Sequence, residues 1–198
     1  MTSLNPIQLQ LTESGLVIDC LFTYNSRALG PRKEAEKDLS WADAIEAGIR
    51  QHWTGNWPLT EGLIQALELF CQERKLSLDL STMTSLVVKM TIKRQERGRL
   101  TPGLLSFKSS LTRRRRPARI YVRPSFILPA HVASPLHRRF WGIFKSGQLE
   151  SIGLNWSPKQ PGYMVIPSQT PDWRLAGVAA HESGHLFGLG DAYAAWYR

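Results

Sequence analysis

Towards the end of the 198-residue sequence, His181, Glu182 and His185 stand in the order H-E-x-x-H, and Asp191 follows six residues after the second histidine. On a helix, positions i and i+4 share a face. Both imidazoles can therefore turn to one divalent ion, with Glu182 beside whatever coordination place stays open. Two histidines and a carboxylate leave a fourth position for water, the arrangement of a catalytic rather than a closed structural zinc site. An ion of that kind acidifies water and polarises a carbonyl, and an adjacent glutamate can carry the proton. The chemistry to expect is amide hydrolysis.

A helix must hold these side chains. Ser168 to Asp172 predicts its start, with Thr170 as cap, Pro171 at the first helical position where a missing N–H costs nothing, and Asp172 as an acid in the first turn. The helix then runs through Trp173, Leu175, Val178 and Ala179 into the motif. Gly188 falls where it would stop. A left-handed glycine there reverses the chain and can swing Asp191 back towards the two histidines.

Over residues 181–191 the pattern H-E-x-x-H-x-x-G-x-x-D resembles the metzincin branch of the zinc metallopeptidases. Asp as the third ligand, followed by Tyr193, is similar to the snapalysin type of small bacterial neutral protease. The resemblance covers residues 181–193. It implies Zn2+ held by His181, His185 and Asp191, Glu182 as general base, Tyr193 supporting the transition state, and a protein or peptide substrate. It also implies an α+β, zincin-like domain: a twisted mixed sheet packed on helices, with the H-E-x-x-H helix near the C-terminus. Metzincins carry a methionine turn downstream of the third ligand, yet no Met follows Asp191. A single domain over 1–198 with a lower subdomain very short or missing is the expectation.

With 42% apolar and 21% charged residues the composition is that of an ordinary globular domain. No apolar run reaches the roughly 18 residues of a membrane span, and the first residues lack the basic and apolar regions of a signal peptide. A monomer is expected, cytoplasmic or exported without a cleavable leader. Cys20 and Cys71 are too few for a disulfide framework and are expected to be buried small apolar residues. The net charge of +9 concentrates between Lys89 and Arg123, where twelve basic residues face one acid, Glu96. A basic loop insertion is placed at about 94–117. Within it the run Arg113–Arg116 is a candidate grip for nucleic acid or an acidic partner, or else a solvated loop. Two further readings are thus a nucleic-acid-associated zinc protein and an inactive, truncated zincin serving as a binding module.

Periodicity places the other elements. The apolar, β-branched run 16–24 predicts a buried strand after an irregular or short-strand lead-in, and 25–37 a loop. Trp41, Ile45, Ile49 and Trp53 predict a helix opened by Ser40 to Asp43 and stopped at Gly55, its aromatics serving as packing. A second helix is expected over 60–75, with a strand over 66–70 as the alternative. Alternation over 76–80 and 86–93 predicts two strands, joined as a hairpin across 81–85 and solvated on one face. Loops are expected over 98–117 and 124–135, strands over 118–122, 152–156 and 162–167, and a short helix over 136–144. His52 is expected to be partly buried or at the surface rather than a ligand, and His131 and His137, which lack motif spacing, are expected at the surface.

Overall fold

The computed structural model describes residues 5–12, 14–32, 39–77, 80, 83–95, 115–124, 129–133 and 157–189. Within them the chain runs β1 (Ile7–Thr12), β2 (Gly15–Tyr24), α1 (Ser26–Leu29), α2 (Trp41–Trp53), β3 (Gly55–Pro58), α3 (Glu61–Arg74), β4 (Ser85–Arg94), β5 (Ala118–Arg123), β6 (His131–Ala133), β7 (Tyr163–Pro167) and α4 (Asp172–Leu186). The strands form one sheet in the order β3-β4-β2-β5-β7-β6, with β1 paired to β2 off that path. β2 lies parallel to β4 and β5, and β5 parallel to β7; β1, β3 and β6 pair antiparallel. The α+β class with a mixed sheet packed on helices agrees with the sequence.

Alternation along the strands sorts the two faces of this sheet. Ile18, Cys20 and Phe22 of β2, Val88 and Met90 of β4, Ile120 and Val122 of β5, and Met164 and Ile166 of β7 are buried, and they join Ala42, Ile45 and Ile49 of α2 and Leu175, Ala179 and Leu186 of α4 in one core. Fully burying an aliphatic side chain of this size is worth about 1.5–3 kcal/mol, so this layer is the main favourable term for the fold. Cys20 and Cys71 are free thiols in that core, as expected, and burial pushes the Cys20 thiol up to about 12. The opposite face carries Lys89, Thr91, Lys93, Arg119 and Arg123, all exposed.

α2 opens on a reciprocal cap. Ser40 Oγ accepts from the Asp43 N–H at 3.1 Å, and Asp43 Oδ2 accepts from the Ser40 N–H at 3.0 Å. Its next turn puts Glu46 in the interior, 4% exposed. A carboxylate there requires donors, and three side chains supply them: Tyr24 Oη at 3.1 Å, Arg94 Nε at 2.6 Å and Arg50 at 3.1 Å. Arg94 also reaches Asp43 at 2.6 Å, so one guanidinium ties the end of β4 to two turns of α2.

Several expectations are corrected. The lead-in takes the short-strand form as β1, whereas the short α1 occupies a stretch expected to be loop, and β3 begins at Gly55, where only a helix stop was foreseen. Among the described residues the hairpin across 81–85 is absent: β4 takes β2 and β3 as its neighbours, and Leu76, Ser77 and Leu80 belong to no strand, while 78–79 and 81–82 lie outside those residues. Parallel pairing with β2 gives β4 a central place that a hairpin partner would have closed. β4 extends to Arg94, so the proposed basic insertion begins after that residue, and β6 arises within the expected loop 124–135. The helix over 136–144 and the strand over 152–156 lie outside the described residues, as do Arg113, Arg114 and His137.

Candidate metal centre

The motif helix changes character along its length. Its first three residues are exposed, Trp173 at 81%, whereas Glu182, Ser183, Gly184, His185 and Leu186 in its last turns are all buried. Its start corrects the sequence: the cap residue is Pro171, with no side-chain capping bond, rather than Thr170. With little local support at that end, the helix depends on packing.

Its other end forms as the sequence predicts. Phe187 is the cap and Gly188 takes φ 93°, the left-handed region where a Cβ would be strained. The Leu189 N–H donates to Gly184 O and the Gly188 N–H to His185 O, both at 3.0 Å, which is the six-to-one and five-to-two pattern of a Schellman turn. This reversal has a chemical result. It brings Leu189 O to 2.8 Å from His185 Nδ1. A carbonyl only accepts, so Nδ1 carries a proton, and in the neutral ring the acceptor nitrogen is then Nε2. A backbone acceptor fixing the tautomer in this way is the usual support of a metal-ligating histidine.

His181 and His185 come together. Their rings stand edge to face with centroids 4.8 Å apart at 83°, a separation that suits two imidazoles on one ion. His181 is exposed and His185 is 6% exposed, so the pair spans from solvent to interior. Glu182, 5% exposed, lies between them in sequence. The donor chemistry therefore fits a zinc ion as far as two ligands. Among the described residues no group of three or more His, Cys, Asp and Glu gathers as a metal site, and Asp191 and Tyr193 lie outside them.

α2 sets the height of the motif helix. A Cβ on Gly48 would stand 2.6 Å from Ala176 Cα, so the two helices cross closer than any side chain at that position permits. One turn later Trp53 reaches across: its Nε1–H is 3.1 Å from Ala180 O and 2.9 Å from Ser183 Oγ, and its ring meets Phe187 edge to face at 5.1 Å. Ala180 precedes His181 and Ser183 follows Glu182, so this indole clamps the motif from below. Sequence reasoning treated Trp53 as packing alone; its i+4 place on the core face of α2 was the available signal. Trp53→Phe, which keeps one aromatic ring but removes the donor and part of the indole's packed volume, is expected to cost about 1–3 kcal/mol in urea unfolding.

Of the other candidates, the run Arg113–Arg116 divides. Arg115 is turned inward, with Nη1 2.8 Å from Asp19 Oδ2, Nε 2.7 Å from Asn5 O and further bonds to Pro6 O and Asp19 O. It fastens the segment before β1 to β2 and is not part of a phosphate grip; Arg116 is exposed. His52 is exposed, and His131 lies on edge strand β6 with Nδ1 2.9 Å from Pro129 O.

Fold and site together define an α+β protein with a mixed sheet, two crossing helices on one of its faces, and a paired-histidine helix ending in a glycine reversal. Neither the family models, nor the curated proteins, nor the solved structures with which the chain was compared match it. No helix among the described residues is long and apolar enough to cross a membrane.

Proposed function

We propose that this protein is a zinc-dependent endopeptidase of the zincin type. The observation that carries the reading is the His185 Nδ1–Leu189 O bond beside the 4.8 Å ring pair, since it prepares one imidazole as a ligand and places the second next to it. His181, His185 and Asp191 would hold the ion, which when bound supplies a Lewis acid for the scissile carbonyl and a lowered pKa for the attacking water. Glu182 takes the proton of that water and returns it to the departing amine nitrogen. Tyr193 donates a hydrogen bond to the oxygen that gains charge, a contribution of about 3 kcal/mol for a donor of this kind.

The purified chain is expected to carry about one zinc per molecule and to cleave an unfolded casein, with chelator abolishing cleavage and added zinc restoring it. Zinc-free protein, or cleavage indifferent to chelator, would sink the reading.

A further inference from the structure

We propose that the sheet face opposite the helices is a docking surface for single-stranded nucleic acid. The inference stands apart from the metal centre and rests on what alternation and register place on that face. Along β5, Arg119, Tyr121 and Arg123 point away from the buried Ala118, Ile120 and Val122. Along β4, Lys89 and Lys93 point away from Val88 and Met90. The register carries these into one another: Lys89 pairs with Val17 and Lys93 with Leu21 of β2, Arg119 pairs with Thr23 of β2, and on its other side with Tyr163 of β7.

Four exposed cations thus descend diagonally from β4 to β5. Residues four apart on a strand are about 13 Å apart, and β4 to β7 spans about 14 Å, so the stripe is long enough for several nucleotides. Asp19 is the one acid on the described part of this face, and it is already matched by Arg115 at 2.8 Å and Lys93 at 3.7 Å. At the β5 end the stripe meets aromatic rings. Tyr121 and Tyr163 stand edge to face at 5.6 Å and 88°, and the Arg123 guanidinium lies 4.6 Å from the Tyr121 ring centroid. Val165 and Pro167, which follow on β7, are buried and bound the patch there.

Charge alone would suit any polyanion; the rings choose among them. Cations that track a backbone beside aromatic and guanidinium planes are what unpaired bases need, since each base offers a π face. In a duplex those faces are stacked away. The Arg113–Arg116 run, by contrast, surrenders Arg115 to internal bonds.

The test uses the full chain and a fluorescein-labelled oligothymidine, followed by anisotropy from about 50 to about 200 mM salt. With roughly four phosphates neutralised on a single strand, affinity should fall roughly fifty-fold over that range. Lys93→Ala and Arg119→Ala should each reduce the log–log salt slope by about 0.7. Tyr121→Ala should weaken binding about five- to hundred-fold with the slope unchanged, and Tyr121→Phe, which keeps the ring, should restore it. Glu182→Gln should bind the oligonucleotide like the parent, so this outcome and that of the peptidase assay are separable. The proposal is overturned if the Lys93 and Arg119 variants bind normally while Arg113→Ala with Arg114→Ala abolishes binding. It is equally overturned if duplex binds as tightly and Tyr121→Ala has no effect, or if the chain binds phosphatidylserine vesicles but no oligonucleotide.

Discussion

Glu182→Gln should retain zinc at the parent level and lose proteolysis by a factor of at least about 10²–10⁴, the usual contribution of a positioned general base. The amide has the shape of the carboxylate, so a side chain only 5% exposed is replaced without a cavity, and neither histidine is disturbed. What changes is that an amide cannot accept a proton from water. His185→Ala gives the complementary result. It removes the proposed ligand together with the Nδ1–H donor to Leu189 O, so metal content and thermal stability should fall together. A metal that binds only the folded chain stabilises it by about 4 kcal/mol when free ion exceeds the dissociation constant a thousand-fold, and that increment should vanish in the variant. Zinc by elemental analysis, thermal unfolding with and without added zinc, and casein cleavage are the three measurements. Unchanged cleavage by Glu182→Gln removes Glu182 from the mechanism; unchanged zinc in His185→Ala removes the ligand assignment.

The separation of these two outcomes comes from the way the motif is built. Four residues of spacing make the histidine pair, but the spacing says nothing of which ring nitrogen is offered. That is decided by Gly188, whose left-handed backbone turns Leu189 O onto His185. Both were legible in the sequence, the first from helical period and the second from a glycine at a helix end, because each is a local rule. The strand at 15–24, the helix at 41–53 with its Ser40–Asp43 cap, and the helix at 61–74 were legible for the same reason.

Pairing was not. The hairpin inferred around residues 81–85 failed because alternation tells which residues share a face but not which strand lies alongside, and β4 is parallel to β2 across some seventy positions of chain. β3 and β6, of four and three residues, are too short to show a period and exist through their partners. The fate of Arg115 was equally hidden. A run of four arginines looks uniform, yet one of them points inward because Asp19 and two carbonyls offer it acceptors near the edge of β2. The cationic face became visible only once β4 and β5, separated by more than twenty residues, were set on either side of β2.

Arg94→Met should destabilise the fold by about 3 kcal/mol, a large share of the stability of a domain of this size, measured by urea unfolding. Arg94 donates to Glu46 at 2.6 Å and to Asp43 at 2.6 Å, and Tyr24, against whose ring it lies at 5.6 Å, donates to the same Glu46 oxygen. Removing the guanidinium leaves a buried carboxylate with Arg50 as its remaining cation among the described residues, while the Met stem keeps most of the packing. Asp43 shows the pH side of the same contact. The Ser40 hydroxyl first, and Arg94 second, hold its carboxyl below the usual value. A depressed carboxylate contributes stability above its unfolded pKa of about 3.9 and loses it as pH falls through the folded value. The parent should therefore lose this share of stability below about pH 4, and Arg94→Met should lose less of it, because the Ser40 bond alone remains. Coupling also predicts that Glu46→Leu combined with Arg94→Met costs less than the sum of the single changes, since the second substitution no longer strands a charge. Strict additivity would show that the two side chains act independently, and that Arg94 holds β4 to α2 through Asp43 rather than through Glu46.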